Sequence, residues 1–254
     1  METTGVGRAR GRTTATLAVA TVAVAALLGG CGDDGGDDGG GGKAAAESGG
    51  SAKKGSAEKA DPTRLPGVGD RLHAKIPARS EQVVAVHGEG ADSADATVEL
   101  YTKEGGRWSR DKSWPAHNGK RGWTPRHHEG DKRSPVGVFG LSDAGGVLPD
   151  PGAKLPYTHT AAFTPPSYWA KSTRHDFDRV IAIDYNRVEG TSPLDPTRPE
   201  GQSRGGSIWL HMDHGSGTSG CVSLSRSGME YLLRTLDPER HPVVVMGDKA
   251  SLAK

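Results

Sequence analysis

The sequence predicts a mostly-β domain with one principal helix. Short apolar runs bounded by turn-forming residues recur from about residue 81 to the end of the chain. Glycine and proline, which form turns and end strands, are abundant, with 38 and 16 copies among 254 residues. Near residue 230, a single segment has the apolar spacing of an amphipathic helix of several turns. Short strands between frequent turns, with one helix packed on them, are typical of layered β architectures.

The predicted strands are runs of about four to eight residues, each flanked by Gly, Pro, Asn, Asp or Ser. Over residues 94–103, which contain the second of them, polar and apolar residues alternate, which is typical of a strand with one buried face. In chain order the runs are EQVVAVHG, ATVELYTK, VGVFGLS, RVIAIDYN, SIWLHM, GCVSLS and PVVVMGD.

The predicted helix covers residues 226–236. Ser225 or Ser227 is expected to cap its first turn, Glu230 to form a capping box with Ser227, and Pro238 lies just past its end. Its apolar residues recur at helical spacing and predict one buried face. They are Met229, Leu232, Leu233 and Leu236.

Residues 1–30 predict an export signal. Arginines precede an apolar run, TATLAVATVAVAALL, that is shorter than the about twenty residues of a permanent membrane span. The run ends in Leu-Gly-Gly before Cys31 and resembles the lipobox of bacterial lipoproteins. This resemblance implies that Cys31 receives a diacylglyceryl group and anchors the protein to the extracytoplasmic face of the cell membrane. The alternative is an ordinary secretory signal in which the cysteine occurs by chance.

Residues 31–60 are predicted to be a flexible tether. After Cys31 they contain Gly, Asp, Ala, Ser, Lys and Glu, without an aromatic or branched aliphatic residue. Such a stretch buries too little apolar surface to offset the entropy of ordering it, and as a random coil it spans on the order of 30 Å. Residues 61–254 then form one domain of ordinary size. The formal net charge of the chain is +1, which argues against nucleic acid as a partner.

Cys221 is the second of the two cysteines in the sequence. If Cys31 is consumed by lipid attachment, Cys221 has no partner for a disulfide in an oxidising compartment. An odd cysteine in an exported protein indicates an intermolecular partner or a reactive thiol. Gly220 precedes Cys221, and His211 lies a short loop upstream. This combination is typical of a cysteine nucleophile with a histidine base.

Four segments together resemble the catalytic domain of L,D-transpeptidases, the YkuD family, whose members cross-link bacterial peptidoglycan. His211 ends the run SIWLH, and residues 218–222, TSGCV, resemble the cysteine box of the family. Residues 132–141, KRSPVGVFGL, are similar to its Thr-Pro-x-Gly-x-Phe strand. Residues 180–186, VIAIDYN, resemble the strand before the catalytic histidine. The resemblance covers roughly residues 81–248 and implies a β-sandwich of mixed sheets.

The resemblance also implies the role of each residue. Cys221 is the nucleophile, His211 its base, and the backbone carbonyl of Met212 orients the imidazole. Backbone N–H groups of Gly220 and Cys221, with that of Ser219, are expected to bind the oxyanion. The substrate is a peptidoglycan tetrapeptide stem, whose acyl group passes to an amine of another stem. No cofactor is expected.

The sequence departs from the family in two ways that leave alternatives open. The loop after His211 is short, and Ser219 replaces the histidine of the box. His214 is then an alternative base, although a polar loop residue is the simpler interpretation of it and of Asp213. Water as acceptor gives an L,D-carboxypeptidase, and a lipoprotein amine gives wall attachment. Loss of activity gives a protein that only binds peptidoglycan.

A zinc site formed by the HMDH segment and Cys221 is a further alternative. It is disfavoured because strand residues three apart point to opposite faces, and neither Cys-x-x-Cys nor His-Glu-x-x-His spacing occurs. The neighbouring histidines His127 and His128 lie in a polar segment and are expected to be solvated.

Overall fold

The computed structural model describes residues 61–254. The predicted signal peptide, the lipidation of Cys31 and the tether lie outside these residues. The strands are β1 (Gln82–Gly88), β2 (Asp95–Glu104), β3 (Arg107–His117), β4 (Trp123–Thr124), β5 (Ser134–Pro135), β6 (Gly137–Gly140), β7 (Ala144–Gly146), β8 (Tyr157–His159), β9 (Val180–Ala182), β10 (Trp209–Met212), β11 (Val222–Leu224) and β12 (Val243–Asp248). The α-helices are α1 (Asp70–His73), α2 (Arg226–Thr235) and α3 (Lys249–Leu252), and 3₁₀ turns occupy Ala161–Phe163, Lys171–Asp178, Gln202–Arg204 and Pro238–Arg240.

Ten of the strands form one mixed sheet in the order β6-β12-β1-β2-β3-β11-β10-β9-β7-β8, and β4 pairs with β5. Strand β1 runs parallel to β12, and β10 runs parallel to β11. The long strand β3 joins the two halves, because it pairs with β2 along its length and with β11 through its last residues. Each of the seven predicted runs contains an observed strand.

The two halves of the sheet share one core. Strands β1, β2 and β12 contribute one set of buried side chains, strands β9, β10 and β11 a second, and α2 a third. Because all three sets meet in a single cluster, the two halves of the sheet pack against the same core. The predicted mostly-β class is confirmed. Each fully buried Leu, Ile or Val contributes roughly 1.5–3 kcal/mol to this core. Its members include Val84, Val98, Ile181, Leu210, Val222, Leu232 and Val244.

Helix α2 confirms the predicted helix and its apolar face, since all four predicted apolar residues are fully buried. Ser225 is the cap, because its side chain accepts a hydrogen bond of 3.2 Å from the Gly228 N–H. The capping box predicted for Glu230 with Ser227 is wrong. With Ser225 at the cap, Glu230 lies beyond the first turn, and its carboxylate instead accepts from Arg234 one turn later at 3.4 Å.

Strand β3 was not predicted, because its residues RWSRDKSWPAH are mostly polar and mostly exposed. It forms as the second strand of a hairpin with β2. The connection contains Gly105 and Gly106, both with positive φ, at 55° and 78°. Two glycines in the left-handed region are typical of the turns that fit the twist of a hairpin. The Gly-Gly pair was therefore the local signal for this strand.

Candidate active site

The histidine lies on β10, and the cysteine immediately precedes the neighbouring parallel strand β11. In the register of β10 and β11, Leu210 is opposite Val222 and His211 is opposite Ser223. Leu210 and Val222 point into the main core. Because side chains alternate along a strand, His211 and Ser223 point to the opposite face. Cys221, one residue before β11, shares that face and lies diagonally across from His211.

A separate apolar cluster covers this face of the sheet. It contains Phe163, Phe177, Trp209 and Cys221, the first two from the 3₁₀ segments between β8 and β9. The ring of Phe177 packs edge-on against Trp209, at 5.2 Å between ring centroids, and against His211, at 5.4 Å. The imidazole of His211 is consequently fully buried. Electrostatic interactions between groups under this cover are stronger than they are in water.

His211 is held in one tautomer. Its Nδ1 lies 2.8 Å from the carbonyl oxygen of Met212. Because a carbonyl only accepts, Nδ1 must carry the hydrogen, which leaves the lone pair of a neutral ring on Nε2. Within residues 61–254, that buried Nε2 has no hydrogen-bond partner. A fixed imidazole with its Nε2 lone pair available is the form that a general base requires.

Cys221 is buried, with 7% of the residue exposed. Its Sγ lies 3.6 Å from the carbonyl oxygen of Ser207, toward which the S–H points. Ser207 has a φ of 52°, in the left-handed region that few residues other than glycine adopt. This left-handed backbone brings the Ser207 carbonyl within reach of the sulfur, a contact between positions 14 apart for which the sequence contains no local signal.

Two buried hydroxyl groups fix the backbone on either side of the thiol. The Thr218 hydroxyl donates to the Cys221 carbonyl at 2.6 Å and accepts from the Gly220 N–H at 3.1 Å. The Ser134 hydroxyl donates to the Gly220 carbonyl at 2.7 Å and accepts from the Gly119 N–H at 2.9 Å. Thr218 lies in the cysteine box and Ser134 in the segment KRSPVGVFGL. The sequence did not indicate that their hydroxyl groups position the backbone around Cys221.

The tight packing at Gly220 explains why glycine precedes the cysteine. Its φ is 150°, and a Cβ built there would lie 3.1 Å from the Arg133 carbonyl oxygen and 3.2 Å from Ile208. The Gly220 N–H was predicted to bind the oxyanion, but in the structure it already donates a hydrogen bond to the Thr218 hydroxyl. The Gly220 amide therefore serves an oxyanion only if it turns away from Thr218. Ser219, which replaces the histidine of the box, is half-buried.

Removing the Thr218 hydroxyl should destabilise the domain. Thr218→Val keeps the side-chain shape but leaves the buried Gly220 N–H without its acceptor and takes a donor from the Cys221 carbonyl. A buried polar group that loses its partner costs about 1–3 kcal/mol. We expect the free energy of unfolding in urea to fall by that amount. Thr218→Ser, which keeps the hydroxyl, is the control, and equal stability of the two variants would contradict the assigned role.

The two other polar residues of the HMDH segment have partners of their own. Asp213 accepts from Ser223 at 2.7 Å and lies 2.8 Å from His117 Nδ1. Burial raises the pKa of Asp213, but these hydrogen bonds outweigh it, so the pKa lies below its usual value. His214 Nδ1 lies 3.0 Å from the buried carboxylate of Asp176. In the part of the chain that the structure describes, no group of three or more His, Cys, Asp or Glu residues is placed to hold a metal ion.

His127 is buried, contrary to the expectation of a solvated residue. Its Nδ1 lies 2.9 Å from Asp131, and its ring packs edge-on against Tyr185 at 5.3 Å. Burial lowers its pKa, against the opposing effect of Asp131. A Cβ built at Gly220 would lie 3.4 Å from the His127 ring. An imidazole from a distant segment thus packs beside the cysteine loop, next to the position where the family box carries its own histidine.

Comparison with solved structures finds distant similarity. The chain is similar to Bd1075 from Bdellovibrio bacteriovorus, at 16% identity and a TM-score of 0.38, over 66% of this chain and 48% of that one. It is also similar to the helical cell shape determining protein Pgp2 from Campylobacter jejuni, at 16% identity and a TM-score of 0.37, over 66% and 46% of the two chains. This chain therefore spans less than half the length of either. No curated protein sequence matches it.

The model of one protein family matches most of the described domain. It is that of the L,D-transpeptidase catalytic domain, YkuD, and it covers residues 81–245, which run from the residue before β1 into β12. Both strands of the site, β10 and β11, lie within it. The chain therefore belongs to the YkuD family of L,D-transpeptidase catalytic domains.

Proposed function

We propose that this protein is a peptidoglycan L,D-transpeptidase in which Cys221 is the nucleophile. The observation that supports this most directly is the buried His211, whose Nδ1 is held by Met212 and whose Nε2 lone pair lies on the face of the sheet that carries Cys221. Membership of the L,D-transpeptidase family supports peptidoglycan as the substrate, and we propose a tetrapeptide stem as the donor.

In the proposed acylation, His211 Nε2 takes the proton of the Cys221 thiol. A thiol with an ordinary pKa near 8.5 is mostly protonated at neutral pH, so this base is required. The thiolate attacks the carbonyl carbon of the scissile amide, and backbone N–H groups near Cys221 bind the oxyanion. As the C–N bond breaks, His211 returns the proton to the leaving amine. The product is a thioester between the stem peptide and Cys221.

An amine of a second stem then attacks the thioester and forms the cross-link. Water in place of the amine gives L,D-carboxypeptidase activity through the same acyl-enzyme, and a lipoprotein amine gives wall attachment. Mass spectrometry of muropeptides after incubation with a disaccharide-tetrapeptide tests the proposal. Cross-linked dimers support transpeptidation, tripeptides alone indicate the carboxypeptidase, and an unchanged substrate would contradict both.

We also propose that the protein is a lipoprotein on the extracytoplasmic face of the membrane, anchored through Cys31 and facing the cell wall. Within residues 61–254, no helix is long and apolar enough to cross a membrane. Cys31→Ala should leave the protein unlipidated, because the thiol is the proposed acylation site. The wild-type protein should partition into the detergent phase, and globomycin should block its processing. Globomycin-insensitive processing and no detergent-phase partitioning of the wild-type protein would contradict lipidation.

A further inference from the structure

A second buried imidazole–carboxylate pair lies beside the proposed base. The side chains of His214 and Asp176 are 6% and 1% exposed, and His214 Nδ1 lies 3.0 Å from the Asp176 carboxylate. The rings of His214 and His211 are nearly parallel, at 8° between planes and 6.4 Å between centroids. Asp176 precedes Phe177, whose ring packs against His211. The carboxylate of the pair therefore comes from the 3₁₀ segment Lys171–Asp178, which also covers His211.

The neighbouring charged groups have other partners. Asp213, next to His214 in the chain, is held by Ser223 of β11 and His117 of β3. On the segment that carries Asp176, the carboxylate of Asp178 lies 3.1 Å from His175 and 3.5 Å from Arg226 of α2. These contacts leave Asp176 as the carboxylate directed at His214, and a carboxylate at that distance stabilises a protonated imidazole.

The proposed reaction needs more than one proton acceptor. Acylation uses His211 once, because the thiol proton passes to His211 and then to the leaving amine, and the ring ends neutral. The acceptor amine, with an ordinary pKa near 10.4 for a lysine-like group, arrives as an ammonium ion. It must lose one proton before it attacks and a second as the C–N bond forms and the C–S bond breaks. The second proton passes through His211 to the Cys221 sulfur and restores the thiol.

We propose that the Asp176–His214 pair takes the first of these protons and so prepares the acceptor amine for attack. This inference rests on the proposed function of the same site. The proton taken by His214 leaves to solvent after the transfer, which balances the reaction. Water attacks as a neutral molecule and gives up one proton, for which His211 suffices. The pair therefore favours transfer to an amine over hydrolysis.

The test compares His214→Gln and Asp176→Asn with the wild-type full-length protein. A disaccharide-tetrapeptide serves as donor and an alkyl amine as acceptor, and three rates are measured: acylation of Cys221 by intact mass, transfer and hydrolysis. At pH 7 we expect transfer to fall at least about 100-fold in both variants, within the range for losing a proton-transfer group. Acylation and hydrolysis should change by less than about threefold. Transfer should recover as the pH approaches the pKa of the amine.

Two controls separate this role from a structural one. Hydroxylamine is neutral at pH 7 and should be an equally good acceptor for the variants and the wild type. His117→Gln removes a different histidine from a carboxylate near the site and should leave the ratio of transfer to hydrolysis unchanged. Thermal unfolding checks that each variant is folded.

Two results would overturn the proposal. One is an unchanged ratio of transfer to hydrolysis in the variants, whether or not both rates fall, and the other is an equal loss of transfer with hydroxylamine as acceptor. If neither variant folds, the pH profile of the wild type decides. Transfer to the alkyl amine should then persist well below the pKa of the amine, and a rate that simply follows the fraction of neutral amine would overturn the proposal. A wild-type protein that is never acylated at Cys221 would instead refute the proposed function, and this inference with it.

Discussion

Replacing Cys221 by serine is expected to lower peptidoglycan turnover by at least about 10³-fold, the scale of losing a catalytic nucleophile. A hydroxyl is far harder to deprotonate than a thiol, and a site built to form a thiolate does not compensate for that difference. The change is nearly isosteric, so the fold should persist. Mass spectrometry of muropeptides measures the effect, and circular dichroism checks the fold.

A carbapenem provides an independent measure of the same thiol. Its strained β-lactam carbonyl is an electrophile for an activated thiolate, so the wild-type protein should show one covalent adduct that maps to the peptide containing Cys221. Cys221→Ser should show no adduct. Cys221→Ala is the second control, because it has no nucleophilic atom at this position. Turnover retained by either variant would exclude the cysteine mechanism.

Replacing His211 should have the second largest effect. His211→Asn keeps a side-chain N–H near the Met212 carbonyl but has no base, so acylation of Cys221 should fall by about 10²–10⁴-fold at pH 7. The rate should recover as the pH rises through the ordinary thiol pKa near 8.5, because the thiol then ionises without a base. Timed intact-mass measurement of the carbapenem adduct reports this rate.

His214→Asn is the matched comparison for acylation. Both imidazoles are buried and lie side by side, but only that of His211 sits on the strand beside Cys221. We expect the His214 variant to be acylated much faster than the His211 variant. Equal losses of acylation rate in the two variants would mean that the base has been assigned wrongly. A larger loss in the His214 variant would make His214 the base for Cys221.

The amino-acid sequence alone determined the elements whose signals are local. Seven apolar runs predicted strands, and the spacing of four apolar residues predicted α2, because burial along a strand or helix imposes a period on the residues themselves. The same applies to the pairing of His211 with Cys221, since both belong to compact motifs at the ends of apolar runs. Strand β3 was not predicted, because most of its side chains are exposed and its sequence therefore has no apolar period.

Only the tertiary structure decided which distant groups surround the thiol. The Ser134 hydroxyl bonds to Gly220, 86 positions away in the sequence. Asp176, on the cover of the site, meets His214, and His127 is buried beside Gly220 although its own segment is polar. The packing of the layers determines which distant residues become hydrogen-bond partners, and local sequence patterns do not indicate these partners. The sequence thus predicted Cys221 and His211 as the candidate nucleophile and base, whereas packing determined the groups that hold and surround them.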